Sequence, residues 1–340
     1  RDNNIVYTGL QFGNYYRLDL FNNERKSIKP KHKLGDSPLR FNWQTPILIS
    51  PHNQDIIYFG SNKLHRSFNK GDDWEEISKD LTSGGKKGNV PYGTITSFDE
   101  SNFQFGKLIV GSDDGIVSIS NDSGKTWKSV SDNLPPDLWV SRVIFSKHEK
   151  NTIYLSLNGY RYNDFKPYIY VSNDNGDSWE NISSNLPLSP VNVIREDINR
   201  KEILYVGTDN GLFISFSSGK KWHPFESSLN RVAVHDLVIQ NEKNDLLVGT
   251  HGRSIYKTNL DLFNDFMIEK NGEKPLIIFE INDLRHSNSW GKRSNYSDDV
   301  FNSSVKTIVY SDKSIVHDYT ITDKFNNILN KGQLNFDKGF

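Results

Sequence analysis

The chain has 340 residues, with 41 Lys and Arg against 42 Asp and Glu for a net charge of -1, and it contains no Cys. That balance gives no overall field for nucleic acid or an anionic membrane, and the absence of Cys excludes disulfide staples and thiolate metal sites. No apolar run approaches the ~18 residues needed to span a bilayer, and aromatics at 12% with β-branched runs and no long helical pattern point to an all-β chain.

Residues 3–20 read as the middle of a repeat: a strand, a loop and a second strand, with the preceding strand missing. The chain opens at Arg1 inside this repeat, so both ends read as cut and the lack of a signal peptide says nothing about secretion. Residues 45–81 form a full unit of two apolar runs, a polar box and a short strand after Trp74. The third unit has strands at 93–98, 107–110, 116–120 and 127–130, preceded by a Gly- and Lys-rich loop over 83–89. The fourth starts at Trp139, continues through 152–157, and carries an insertion, 159–167, before the strand at 168–171. The fifth runs 191–195, 203–208 and 211–215 to Trp222, and the sixth runs 232–239, 245–250 and 253–257 and then lacks the box. From Asn264 the pattern changes, with strands expected at 274–281, 305–310, 314–322 and 328–336.

The box that recurs is Ser120-Asn-Asp-Ser-Gly-Lys-Thr-Trp127, repeated over Ser172–Trp179 and, in altered form, over Ser67–Trp74 and Ser215–Trp222. Its chemistry is that of a hairpin turn. Asp122 or Asp174 at the third position accepts bonds from backbone N–H groups further on. Gly71, Gly124, Gly176 and Gly219 supply a positive φ, and each Trp lays one large ring across the neighbouring unit. Asn69 and Ser217 replace the Asp in two copies, which predicts looser turns there. Four strands per unit fit a β-propeller blade, and the missing sixth box fits a capping repeat. The expected organisation is a propeller over 1–263, cut at its N-terminus and showing about five or six four-stranded blades, then over 264–340 the start of a small β-sandwich-like domain, cut at its C-terminus.

The boxes match the Ser-x-Asp-x-Gly-x-Thr/Ser-Trp pattern of the Asp-box (bacterial neuraminidase repeat) families, among them sialidases, xyloglucan hydrolases, the sortilin ectodomain and photosystem II assembly factors. With Trp139–Arg142, Gly159–Tyr168, Val193–Asp197 and Gly249–Ser254, residues 1–263 resemble the large bacterial sortilin-like proteins often labelled glycosyl hydrolases from their repeats. The resemblance implies a ligand-binding or scaffolding propeller of an exported bacterial protein, extracellular, periplasmic or on the cell surface, joined to further domains of one polypeptide. It also implies the alternative of a sialidase-like or xyloglucanase-like hydrolase, because the same boxes sit in enzymes and in binding proteins.

If the strands of each blade run outward from the axis, the boxes join third to fourth strands and face away from the opposite loops. Those opposite loops bring Arg40, Trp43, Trp139, Arg142, Arg161, Asp164, Tyr168, His251 and Arg253 to one mouth of the channel, with Val90–Tyr92 nearby. Aromatic faces with Arg forks suit a glycan, a peptide or protein segment, or an anion, with Asp164 expected to pair one Arg. The same side chains could instead bond inter-blade backbone and seal the channel. For catalysis, two carboxylates across a glycosidic bond are required. The candidates are Asp164 and Asp236, with Asp137 near the mouth, whereas Glu196 and Asp197 read as turn residues. No cofactor is implied: the nine His lack ligand spacing and no Gly-rich phosphate loop is present.

Overall fold

A computed structural model of the chain describes residues 4–86, 88, 91–225, 229, 231–261, 263, 276–279, 293–294, 297–300, 307 and 309–337. The fold is a nearly all-β, six-bladed propeller of small antiparallel sheets. Blade 1 holds β1 (Ile5–Leu10), β2 (Asn14–Asp19) and β3 (Glu24–Ser27). Blade 2 holds β4 (Ile47–Ile49), β5 (Ile57–Gly60), β6 (Leu64–Ser67) and β7 (Glu75–Glu76), and blade 3 holds β8 (Ile95–Glu100), β9 (Leu108–Ser112), β10 (Val117–Ser120) and β11 (Lys128–Ser129). Blade 4 holds β12 (Trp139–Phe145), β13 (Ile153–Asn158), β14 (Tyr168–Ser172) and β15 (Glu180–Asn181). Blade 5 holds β16 (Val191–Glu196), β17 (Leu204–Thr208), β18 (Gly211–Ser215) and β19 (His223–Pro224), and blade 6 has β20 (Val234–Gln240), β21 (Asp245–Thr250) and β22 (Ile255–Asn259).

The boxes lie between third and fourth strands, as their spacing implies, and each is a side-chain-built turn. In blade 3, Ser120 Oγ accepts from Gly124 N at 2.9 Å, while Asp122 accepts from Thr126 N at 2.9 Å and Thr126 Oγ1 at 2.6 Å. Those bonds, the Thr126 hydroxyl first, hold the Asp122 carboxyl down at about 2. Asn69 accepts from Asp73 N at 2.9 Å and Ser217 Oγ from Lys221 N at 3.1 Å. The two altered boxes therefore keep the turn bond, and the expected loosening is not seen: an amide oxygen or a hydroxyl accepts in the carboxylate's place.

Each box also binds the blade before it. The indole N–H groups of Trp74, Trp127, Trp179 and Trp222 donate to the carbonyls of Ile28, Ile77, Val130 and Ile182, at 2.8 to 2.9 Å. The same four residues cap the box glycines. At Gly124, φ is +87° and an added Cβ would stand 2.5 Å from Ile77 O. Gly124→Ala should therefore cost roughly 1–3 kcal/mol through backbone strain and collision with blade 2. A thermal melt equal to that of the unmodified chain would show that the turn relaxes freely.

The Trp rings differ in burial. Trp222 is 2% exposed, whereas Trp74, Trp127 and Trp179 are half-buried, so the one large buried ring expected per repeat is met in blade 5 alone. A second repeat alternates between blades. Glu100 accepts from Ser50 Oγ and Tyr58 OH of blade 2, and Glu196 accepts from Ser146 Oγ and Tyr154 OH of blade 4. Glu196, expected in a turn, instead ends β16, buried between two blades, and burial raises its carboxyl pKa.

Beyond the propeller, β23 (Leu276–Ile278) pairs with β26 (Val309–Ser311), β24 (Arg293–Ser294) with β25 (Ser297–Val300), and β27 (Ile315–Thr322) with β28 (Ile328–Phe336). Ile277, Phe279 and Tyr310 share one apolar cluster with Phe216, Phe225, Leu260 and Phe263. The expected strand ends at 274–275, 280–281 and 305–306 lie outside the described residues, as do Lys87, Asn89 and Val90 of the expected loops.

Candidate functional site: the channel mouth

The site is built by a bulge that recurs in the innermost strands. Pairing with the second strand shifts register between Ile95 and Ser97, Val140 and Arg142, Val191 and Val193, and Val234 and Asp236. A bulge leaves one residue out of the ladder and re-aims its side chain. Those four residues are Thr96, Ser141, Asn192 and His235, and all four line one cavity of ≈ 620 Å³. Three of them also link blades. Thr96 Oγ1 donates to Val140 O at 2.6 Å, Ser141 Oγ to Val191 O at 2.8 Å and Asn192 Nδ2 to Val234 O at 3.2 Å.

The remaining wall comes from Gln44, Trp139, Arg142, Asn158, Tyr160, Arg161, Asp209, Ala233 and His251. Tyr160 and Arg161 belong to a 3-10 turn, Tyr160–Tyr162, inside the insertion of blade 4. The Arg161 guanidinium lies 4.1 Å from the centroid of the Trp139 ring, a cation–π contact. The rings of His235 and His251 are 5.0 Å apart. Burial first, then His251, lowers the His235 pKa, opposed by Asp209. Arg142 donates to Asp236 Oδ1 at 2.7 Å, and its Nε is buried without a hydrogen-bond partner among the described residues.

Deeper in the channel, Arg195 donates to Leu237 O at 2.7 Å and stands 3.4 Å from Asp236 Oδ1. Burial, with Arg142 beside it, pushes the Arg195 pKa down to about 10 against the pull of Asp236. This lower space, ≈ 930 Å³, shares Gln44, Thr96, Arg142 and His235 with the mouth and is also lined by Trp43, Asp99, Glu196 and Asp236.

Of the residues expected at the mouth, Trp139, Arg142, Arg161 and His251 meet in one cavity, and Trp43 lines the adjoining channel. Arg40 is committed elsewhere: it bonds Asp80 at 2.6 Å and Gly93 O at 3.0 Å, tying the linker before blade 2 to that before blade 3. Asp164 pairs no Arg; it accepts from Tyr168 OH at 2.6 Å within its own hairpin, and this bond lowers its pKa. Neither lines the cavity. Arg253 is exposed in the β21–β22 turn, also outside the cavity lining. Asp236 is an ion-pair partner rather than a lone acid. Asn158, Tyr160, Asn192, Asp209 and His235 escaped sequence reasoning. The one available signal was the apolar-polar-x start shared by Ile95-Thr-Ser, Val140-Ser-Arg, Val191-Asn-Val and Val234-His-Asp.

Carboxylates in this region are engaged. Asp209 accepts from Asn192 Nδ2 at 2.8 Å, Asp99 from Phe145 N at 3.0 Å, and Glu196 from Ser146 and Tyr154. Among the described residues no group of three His, Cys, Asp or Glu could hold a metal ion, and no helix is long and apolar enough to cross a membrane.

No family model matches the chain. Over 99 residues, 29% of the chain, it is 31% identical to the vacuolar protein sorting/targeting protein PEP1 of Saccharomyces cerevisiae strain RM11-1a. The chain spans about 5% of the length of the curated relatives it matches. Among solved structures it is similar to an ancestral GH74 enzyme, with TM-score 0.53 and 13% identity over 87% of this chain and 38% of that one. It is also similar to the extracellular domain of a putative one-component system from B. thetaiotaomicron, with TM-score 0.52 and 14% identity over 76% and 32% of the two chains. A third similar structure is YCF48 bound to D1 peptide, with TM-score 0.51 and 11% identity over 76% and 79%. What the chain shares with these three is the β-propeller fold.

Proposed function

We propose that residues 1–263 are a ligand-binding propeller of an exported protein, joined to a second β domain that starts near residue 264, and that the mouth captures an acceptor-rich ligand. One observation carries this reading: among the described residues, the one uncommitted charged side chain lining the cavity is the cation Arg161. Arg161 and the imidazoles of His235 and His251 line the space, whereas its one lining acid, Asp209, is already bonded. Arg161, His235 and His251 are exposed, so these donors are hydrated in the free chain, and a ligand that presents acceptors would exchange that water for charge-assisted hydrogen bonds. An acidic glycan, or a peptide segment that presents carboxylates, is such a ligand, with Trp139 and Tyr160 as flanking rings.

The similarity to GH74 and sensor propellers also keeps a carbohydrate-active hydrolase in view. A hydrolase would need a raised general acid facing a second carboxylate across the cavity. Among the described residues the acids with raised pKa values are Glu196, wedged between blades 4 and 5 with its oxygens bonded, and Asp113, which accepts from Gly93 N, Thr94 N and Thr94 Oγ1, and neither lines the mouth cavity. The geometry therefore favours capture over cleavage.

Arg161→Ala should weaken capture by about 1.5–3 kcal/mol, the scale of a charged hydrogen bond, with an unchanged melt. The check is titration calorimetry against acidic and neutral oligosaccharides and carboxylate-rich peptides, first screened on arrays. Preference for the neutral members, or release of reducing ends from any of them, would overturn the reading.

A further inference from the structure

Blade 4 carries a platform that its own sheet does not require. Its β13 and β14 are joined by residues 159–167, whereas the same connection spans 61–63, 113–116, 209–210 and 251–254 in blades 2, 3, 5 and 6. Three aromatic side chains of this insertion, Tyr160, Tyr162 and Phe165, stand exposed. A contiguous group of rings in water, unlike a single one, marks a surface that meets a partner.

The insertion is built before any ligand arrives. Tyr162 N and Asp164 N both donate to Gly159 O, at 2.8 and 3.1 Å, and Asn163 N donates to Tyr160 O at 3.1 Å. Lys166 N donates to Asp164 Oδ1 at 3.1 Å, and Tyr168 OH closes the loop on the same carboxylate. A ladder of amides ties the base of the insertion to blade 5. Tyr160 N donates to Asn158 Oδ1 at 2.9 Å, Asn158 Nδ2 to Asn192 Oδ1 at 2.8 Å, and Asn192 Nδ2 to Asp209 Oδ1 at 2.8 Å. Polar bonds rather than apolar cover thus hold the rings in place, and little ordering remains to be lost on binding.

A cation marks each end of the platform. At the inner end Arg161 lies over Trp139 in the mouth. At the outer end Lys86 Nζ lies 4.4 Å from the ring centroid of Tyr92, in the linker before blade 3. Tyr162 joins the two ends: it follows Arg161 in the chain, and its hydroxyl stands 3.5 Å from that of Tyr92. The carboxylates nearby are already taken. Asp164 serves Tyr168, while Asp113 and Asp114 are buried and accept from Thr94, Ser83 and Ser112.

We propose, on the capture role given to the mouth, that this ridge is an outer subsite and that the ligand is an acidic oligosaccharide of several units. One anionic group meets Arg161 in the mouth, sugar rings cross Tyr160 and Tyr162, and a second anionic group meets Lys86. A sugar offers an apolar C–H face to a ring and hydroxyls to the phenols and the cations, which is the mixture this ridge presents. An extended peptide fits less well. Strand addition needs free main-chain groups, and the N–H groups of residues 160, 162, 163, 164 and 166 are already bonded within blade 4.

The probes are oligogalacturonates and heparin-derived oligosaccharides, each of two and of six units, titrated calorimetrically into the whole chain. In at least one series the six-unit member should bind about tenfold more tightly than the two-unit member, the scale of one aromatic contact. Tyr162→Ala and Lys86→Gln should each remove most of that gain, whereas Arg161→Ala should weaken both lengths. Should Tyr162→Ala misfold by circular dichroism, Lys86→Gln carries the test. Equal affinity for the two lengths, or a gain that survives the outer variants, would overturn the subsite and leave the mouth, which Arg161 tests, in place. So would capture of a hexaglutamate peptide through Arg161 with neither sugar series bound. No binding by any of these probes would overturn both readings.

Discussion

Trp222→Ala should lower the stability of the propeller by about 3–5 kcal/mol, the largest effect expected of a single side chain here. The ring is 2% exposed and packs with Ile182, Leu186, Ile194 and Phe213 in the cluster that joins blades 4 and 5. Its indole N–H donates to Ile182 O at 2.8 Å, and its backbone N–H and C=O both bond the Asn185 side chain at 2.8 Å. Truncation therefore leaves a cavity and an orphaned carbonyl together. Trp222→Phe separates the terms, because it keeps most of the ring and removes the donor, at about 1 kcal/mol. Trp127→Ala, whose ring is half-buried, should cost less than Trp222→Ala. Equal melts for the blade 3 and blade 5 variants would refute the graded burial of the boxes.

The second large effect is a loss of stability in mild acid, traced to His65. This histidine is 1% exposed and its Nε2 lies 2.9 Å from Ser61 Oγ. Burial pulls its pKa from 6.5 to about 4, and Lys63 adds to the shift against Glu76. The folded pKa lies below the unfolded one, so only the unfolded chain takes up a proton between them. The contribution is therefore intact above pH 6.5 and is lost as pH falls toward 4, a cost of about 3 kcal/mol at most. Urea melts at pH 7.5 and 4.5 should show this difference in the unmodified chain and a smaller one in His65→Gln. Asp72, Asp80 and Glu76, whose pKa values are depressed, act in the same sense but lower down, since each loses its contribution only as pH falls through its folded pKa. Identical slopes for the two proteins would assign the acid sensitivity elsewhere.

The blades were legible in the sequence because their signal is local. Ser, Asp, Gly and Trp within one box settle a turn by bonds between residues two to four apart, and counting strands from one box to the next gives the face each loop occupies. The mouth was legible only as far as that counting goes: Trp139, Arg142, Arg161 and His251 were expected at one opening, and they line one cavity. Which of them remain available was not legible. Arg40 meets Asp80 across 40 residues, and Asp164 is taken by Tyr168, whose hydroxyl is held nearer than any Arg. The bulges were hidden for another reason. One extra residue breaks the alternation by which a strand is read, so nothing in the pattern aimed Asn192 and His235 at the channel. Glu196 was read as a turn residue because its partners, Ser146 and Tyr154, come from the previous blade, 50 and 42 residues away.

The indole staples have a consequence for how the ring comes apart. Every Trp bond, glycine cap and Ser–Glu link joins a blade to its immediate neighbour, so the cohesive energy is a chain of nearest-neighbour terms. The third strands of blades 2, 3 and 5 are buried at every position and that of blade 4 at all but Tyr168, whereas β22 of blade 6 alternates between exposed and half-buried. Opening should then fray inward from the two ends, as in a one-dimensional stack, rather than occur all at once. Amide hydrogen exchange would record this as a gradient: slowest in β9, β13 and β17, and fastest in β1 and β22, with the steps falling at the blade junctions.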